Sequence, residues 1–254
     1  MTDEQPAVLT ERRGRVLLVT LNRPDAMNAI NGALSAGLVA AMEELDGDAG
    51  LTAGVLTGAG RGFCSGMDLK AFARSEDIGP MMTFIRAGAR KPLIGAIEGF
   101  AIAGGLELAL TCDLLVASRG AKLGIREVKV GLFAAGGGVF RLPNRVGFAK
   151  AMEMALTGDN ITAEEAQELG MVTELTDEGG AIDAAVALAE RIAQNAPLAL
   201  AASKQLVRAS SEGYDEDRLW EMQKPLMAEV FSSNDAKEGP RAFAEKRAPE
   251  WTGT

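Results

Sequence analysis

Apolar residues first come in short runs separated by turn residues, interleaved with one helical stripe. Val8 to Arg13 and Arg15 to Leu21 read as two short strands joined through Gly14. Leu34, Leu38, Met42 and Leu45 recur at helical spacing behind Asn31, a side chain suited to cap the first turn. Thr52 to Thr57 reads as a strand ending in the glycines 58, 60, 62 and 66. Leu93 to Ile97 reads as another strand, a helix starts near Gly104, and Asp113 to Ala117 is a strand again. This alternation predicts α/β layering. After about Phe148 the pattern becomes helical. Thr162 and Glu165 have capping-box spacing and Gly170 stands at the matching helix end. Further helices are expected over Ala181 to Asn195, Pro197 to Ala209, Tyr214 to Phe231 and Ala236 to Lys246, so an α/β body gives way to a helical tail near residues 195–200.

Composition narrows the chemistry. The 254 residues include no histidine, which removes Ser-His-Asp and Cys-His nucleophilic sites and the usual zinc ligand. Acid–base work falls to carboxylates, lysines or the single Tyr214. A net charge of -9 disfavours nucleic acid as a partner, since phosphate neutralisation needs clustered Lys and Arg. Cys64 and Cys112 lie too far apart for a CxxC metal or redox motif. The most apolar stretch, Leu93 to Ser118, carries Glu98, Glu107 and Asp113, against a membrane span. Residues 1–7 are short and acidic with no apolar signal core, which makes cytoplasmic residence the expectation.

Three clusters could carry function. Gly58-Ala59-Gly60-Arg61-Gly62-Phe63 follows a strand, but Phe63 replaces the last glycine of a dinucleotide fingerprint. By itself the cluster reads as a tight structural turn, or as backbone kept bare so that a ligand can approach. Gly99 to Leu110 places small residues before a helix, whose first N–H groups would suit a developing oxyanion, with Glu107 one turn inside an apolar stretch. Glu107 is then either a salt-bridged structural acid or a functional one. Gly124 to Gly131, followed by the glycines 136 to 138, contains Glu127 between Arg126 and Lys129; taken alone, Glu127 reads as a solvated loop charge.

Together and in this order, the motifs resemble the crotonase (enoyl-CoA hydratase/isomerase) superfamily. The resemblance runs from Leu21-Asn22-Arg23-Pro24 and Asn28-Ala29 through Gly66-Met67-Asp68-Leu69-Lys70 and Gly104-Gly105-Leu106-Glu107-Leu108-Ala109 with Cys112-Asp113. It ends at Ala242-Phe243-Ala244-Glu245-Lys246-Arg247. The interval from Glu107 to Glu127 matches the family's two catalytic glutamates. The resemblance implies an α/β fold, a crotonase-like spiral of repeated ββα units with a helical C-terminal part. It divides the chain into an acyl-CoA-binding core, residues 1–195, and a trimerisation region, residues 196–254, in homotrimers or hexamers built as dimers of trimers. It implies an oxyanion hole from the N–H groups of Met67 and Gly104, and acyl-CoA contacts from Ala26, Met67, Asp68, Leu69, Lys70, Gly104, Phe243 and Lys246. No metal or redox cofactor is implied, coenzyme A being part of the substrate.

By that resemblance the reaction is hydration of a trans-2-enoyl-CoA thioester. In the hydratases the counterpart of Glu107 activates water and that of Glu127 protonates the α-carbon. Two carboxylates favour hydratase or dehydratase chemistry over isomerisation, and a non-catalytic acyl-CoA binder would need neither. The chain departs from the family's pattern at Arg126, where many hydratases carry proline, and in the run Gly131-Leu132-Phe133-Ala134. Arg126 is expected either to change the loop backbone or to lower the pKa of Glu127 by its charge, which would weaken Glu127 as a proton donor. The tail from Glu238 through Trp251 also resembles carnitinyl-CoA dehydratase relatives.

Overall fold

In the computed structural model, which describes residues 5–254, the chain opens with β1 (Val8–Arg13) and β2 (Val16–Leu21), an antiparallel pair turning at Gly14. The amino-terminal residues 1–4, to which the signal-sequence expectation partly refers, lie outside the described residues. Next come α1 (Gly32–Gly47), β3 (Ala53–Gly58), α2 (Leu69–Ala73), α3 (Gly79–Ala87), β4 (Leu93–Ile97), β5 (Phe100–Ile102) and α4 (Gly104–Ala109). Then follow β6 (Leu114–Ser118), β7 (Lys122–Gly124), α5 (Gly138–Arg141), α6 (Pro143–Val146), α7 (Phe148–Thr157), β8 (Ile161–Thr162), α8 (Ala163–Glu168) and β9 (Glu174–Thr176). The chain closes with α9 (Ala181–Ala193), α10 (Pro197–Ser211), α11 (Glu216–Ser232) and α12 (Asn234–Glu245).

The larger sheet has the order β1-β2-β3-β4-β6-β9 and is parallel from β2 onward. Its inner strands are apolar throughout because both faces are covered; every residue of β3 and β4 is buried. Side chains alternate between the faces. Leu17, Val19, Leu21, Leu56, Leu93, Ile97 and Leu115 enter the main core with α1. Val16, Leu18, Val55, Ile94, Ala96 and Val116 meet Ala181, Ala185, Val186 and Ala189 of α9. The Asn31 side chain accepts a hydrogen bond from Leu34 N–H, capping α1.

A smaller sheet, β5-β7-β8, arises because two strands of the large sheet are each followed by a short one: β4 by β5 and then α4, and β6 by β7. A bridge between Cys64 and Ala101 brings the segment after β3 to the same edge. This repetition stacks the turns that follow β3, β4 and β6. Beyond α9 the helices leave the sheet. Lys204 on α10 reaches Asp113 and the Lys91 carbonyl, both at 2.7 Å, and α10 packs against α11. The Trp251 indole donates to the Gln194 carbonyl at 2.7 Å, returning the chain end to the body.

The glycine-rich turn after β3 is a structural turn. A Cβ on Gly58 would overlap the Phe63 carbonyl oxygen. Asn28, fully buried, ties it down: Nδ2 donates to the carbonyls of Ala59 and Gly62 at 2.9 Å each, and Oδ1 accepts from Arg23 N–H at 2.9 Å. Asn28→Ala leaves a buried carbonyl at Gly62 and a part-buried one at Ala59 unpaired, and puts alanine at φ 53°. We expect a loss of about 3 kcal/mol in urea denaturation; a loss below about 1 kcal/mol would mean the turn holds without it.

Candidate active site

Two backbone segments pass unusually close where the turns after β3 and β4 stack. A Cβ on Gly105 would overlap the carbonyl oxygen of Cys64, and one on Gly66 would stand 2.9 Å from the Ala103 methyl and 3.0 Å from Gly104 N. Only residues without a side chain permit this approach. Gly66 is further held by Ile30 N–H donating to its carbonyl at 2.8 Å, and Asp68 N–H returns a bond to Ile30 at 2.9 Å. The N–H groups of Met67 and Gly104 fall side by side, the Cβ position of Gly104 being 3.6 Å from Met67 N. Among the described residues neither N–H donates to a protein acceptor. Ala103, just before them, sits at φ 53°, ψ -132°, a costly conformation for alanine that fixes the entry into α4.

One turn into α4, Glu107 is buried. Its Oε1 accepts from Gly138 N–H at 2.9 Å, and a Cβ on Gly136 would lie 2.7 Å from Oε2. The glycines 136 to 138 therefore form a cradle that a side chain would fill. Burial pushes the Glu107 carboxyl up to about 7; the N–H groups of Gly138 and Gly136 and the Arg141 guanidinium oppose that rise, and the charge of Glu127 adds to it. The acid is neither salt-bridged nor solvated.

Glu127 begins a 3₁₀ turn, Glu127–Val130, just after β7. It is half-buried and its Oε2 has no hydrogen-bond partner, so the local reading of a solvated loop charge is wrong. The stacking of β7 against β5 carries the loop inward, which flanking charges do not reveal. The lowering of the Glu127 pKa by the charge of Arg126 is not found. Burial raises that pKa, opposed by the main-chain N–H groups of Glu127 and Arg126, while the charge of Arg126 adds to the lowering that Lys129, bound at 2.6 Å, produces in Asp159.

The remaining expected contact residues divide. Gly104 opens α4, which carries Glu107, and Met67 lies against it; Asp68 precedes α2, which Leu69 and Lys70 begin. Asp68 caps α2, accepting from Lys70 N–H at 3.0 Å and Ala71 N–H at 3.3 Å, and pairs with Arg23 at 3.1 Å. Leu69 and Lys70 are exposed, and Ala26 closes a 3₁₀ turn, Pro24–Ala26, whose Arg23 anchors it to Asp68. Phe243 and Lys246 stand apart, on and just after α12, which packs chiefly on α11; Phe243 is 87% exposed. The sequence pattern left the glycines 136 to 138 without a role and passed over Thr111 and Arg141. Only the glycine run was a usable signal. Among the described residues no helix is long and apolar enough to cross a membrane, and no group of His, Cys, Asp or Glu is arranged to hold a metal.

A closely stacked pair of free N–H groups, with one buried and one half-buried acid on a spiral of ββα turns, is an arrangement suited to a carbonyl compound. Comparison with known proteins makes the class specific. The family model for enoyl-CoA hydratase/isomerase matches residues 11–254. Enoyl-CoA hydratase EchA19 of Mycobacterium tuberculosis is 41% identical, across 97% of this chain and 96% of its own length. Carnitinyl-CoA dehydratase of Proteus mirabilis is 40% identical, across 95% and 96%. The crystal structure of an enoyl-CoA hydratase from Mycobacterium tuberculosis superposes with a TM-score of 0.94 at 54% identity, covering 98% of this chain and 100% of the other. The chain belongs to the enoyl-CoA hydratase/isomerase family, and its fold is the crotonase fold.

The raised Glu107 pKa has a consequence for stability. Unfolded, the carboxyl titrates near 4.5; folded, near 7. Between those values the folded state holds the extra proton, so this group's contribution is full below about 4.5 and is lost as pH rises through about 7. Glu107→Gln removes that loss. Its stability relative to the parent should rise by about 2–3 kcal/mol from pH 4.5 to pH 8 in urea denaturation. A difference independent of pH would contradict the buried, proton-hungry carboxyl.

Proposed function

We propose that the chain is an enoyl-CoA hydratase that adds water to a trans-2-enoyl-CoA thioester, with Glu107 and Glu127 as its catalytic carboxylates. The observation that carries this reading is an acid, Glu107, buried one turn into the helix that opens at the free Gly104 N–H, together with a second acid, Glu127, whose buried Oε2 is unpartnered. The thioester oxygen takes the N–H groups of Met67 and Gly104. Ionised Glu107 removes a proton from water as the oxygen bonds to the β-carbon, and the electron pair moves onto the thioester oxygen as an enolate. Glu127, in its protonated form, delivers a proton to the α-carbon as the enolate collapses; burial shifts its pKa in the sense that favours that form. One water is consumed, and both carboxyls recover by exchanging a proton.

Met67, Asp68, Leu69 and Lys70 are consecutive, and the Arg23–Asp68 pair ties them to the turn that holds Ala26, consistent with a path for the coenzyme A portion. Phe243 and Lys246, remote in the single chain, suit contact from a neighbouring copy. We assign residues 1–195 to the acyl-CoA-binding core and residues 196–254 to subunit contacts in a trimer or hexamer. The exposed Trp220, Met227, Phe231 and Phe243 support that assignment. The solution mass should be that of three or six chains, and a monomer would refute the assembly. A specialised dehydratase acting on a carnitinyl-like acyl-CoA is the second reading, favoured by the 40% identity to the Proteus mirabilis enzyme.

Ultraviolet absorbance of the conjugated enoyl thioester should fall when crotonyl-CoA or a longer trans-2-enoyl-CoA is added. The acidic limb of kcat/KM should lie near pH 7, because protonated Glu107 cannot accept from water. Glu107→Gln and Glu127→Gln should each reduce kcat by about 10²–10⁴-fold. Turnover unchanged in both variants would refute the assignment, and no turnover of either enoyl-CoA would move the reading to the dehydratase.

A further inference from the structure

We propose that Arg141 is a positioning residue for Glu107: it clamps the helix whose first N–H binds that carboxylate onto the end of the helix that carries it. The inference rests on the reading of Glu107 given above and adds to it a residue outside the two carboxylates and the N–H pair.

The geometry is as follows. Gly138, the first residue of α5, donates its N–H to Glu107 Oε1 at 2.9 Å, and Arg141 ends the same short helix. The helix is a single turn following the glycines 136 and 137, with Gly137 at φ 99°, so its own sequence gives it little rigidity. Arg141 supplies the external fixings. Its Nη1 donates to Thr111 Oγ1 at 3.2 Å, and its Nη2 donates to the Ile85 carbonyl, the end of α3, at 2.6 Å. Thr111 in turn donates to the Glu107 carbonyl at 3.1 Å. The guanidinium also covers Gly137, with Cζ 3.5 Å from where a Cβ on that glycine would stand.

These contacts close a ring: Glu107 main chain, Thr111, Arg141, α5, Gly138 and the Glu107 carboxylate. A movement of α5 that lengthens the Gly138 bond must also break the fork to Thr111 or Ile85. A planar guanidinium with donors in fixed directions suits this role, and a flexible ammonium does not. The charge works in the same sense. Glu107 faces Glu127 from the 3₁₀ turn and Arg141 from α5; Arg141 itself faces Arg208 on α10, Glu212 just after it, and Arg145 on α6. Removing Arg141 takes away the cation that opposes protonation of Glu107 and loosens the N–H that does the same.

The decisive measurement is the carbon-13 carboxyl titration of Glu107, its resonance assigned by its absence in Glu107→Gln. In Arg141→Gln the midpoint should rise by about half to one pH unit. With hydratase turnover as a second readout, kcat should fall about tenfold with KM within twofold, and the acidic limb should move up with the midpoint. A residue that only supports the fold would lower the melting temperature and leave the midpoint in place, and that result overturns the proposal. If Arg141→Gln does not fold, Arg141→Lys decides. It keeps the charge but not the fork, so the Gly138 amide should exchange with solvent at least several-fold faster than in the parent; unchanged exchange overturns the proposal. Absence of hydration in the parent protein would strike the functional reading and leave the titration standing as its own test.

Discussion

The structure turns on the approach of two backbone segments, residues 64–67 and 101–105, to a distance that excludes side chains. Gly105 lies against the Cys64 carbonyl and Gly66 against Ala103 and Gly104. The local cost is real: Ala103 at φ 53° is disfavoured by about 1–2 kcal/mol, and both neighbouring chains must be held from outside. The holding comes from Asn28 on one side and from the pairing of β5 with β7 on the other. Two consequences follow from the single contact. Met67 and Gly104 present adjacent N–H groups, and α4 starts in a direction that carries Glu107 into the interior.

Placing a carboxyl there creates a second problem, solved locally. A buried carboxylate needs donors, and the chain supplies main-chain N–H groups rather than a cation in direct contact. Main-chain donors are compact and set by the fold, so they hold the acid in place without locking it in the ionised form, as a bidentate arginine would. The glycines at 136 and 138 are the steric condition for this arrangement, since the Gly136 Cβ position lies 2.7 Å from Glu107 Oε2. The result is an acid with a pKa near neutrality, where a group that alternates between accepting and returning a proton works best.

Much of this was legible in the sequence where one period or one cap dominates a segment. β1, β2, β3, β4 and α1 fall within a residue or two of the pattern, because each is a strong alternation, an apolar run or a capped stripe. The short strands β5, β7, β8 and β9 were not legible: two or three residues carry no period, and their identity comes from the partner strand. Glu107 stood out because an acid in an apolar stretch demands a reason. Glu127 did not, because Arg126 and Lys129 disguise it as surface; only the register of β7 beside β5 buries it. Arg141 shows the same limit, since a lone arginine after glycines looks like any exposed charge until α3 and α4 are placed around it.

The two acids are held in different ways, and the difference bears on their division of labour. Glu107 is buried and held by main-chain donors, so its position is set by the fold. Glu127 sits on a one-turn helix whose neighbours Val128, Val130, Leu132 and Phe133 are exposed, and its Oε2 is buried with nothing to bind. An unpartnered buried oxygen costs on the order of 1–3 kcal/mol in the free protein. Protonation lowers that cost by removing the charge, which is the direction in which its pKa is displaced. A fixed acid poised near neutrality suits the orientation of water. In the proposed hydration the unsatisfied acid on the loop is the one assigned to deliver a proton to carbon, and burial displaces its pKa in the sense that role requires. The charge of Arg126 acts on Asp159, beyond the loop, and the main-chain N–H groups of Arg126 and Glu127 oppose without outweighing the rise that burial produces in Glu127.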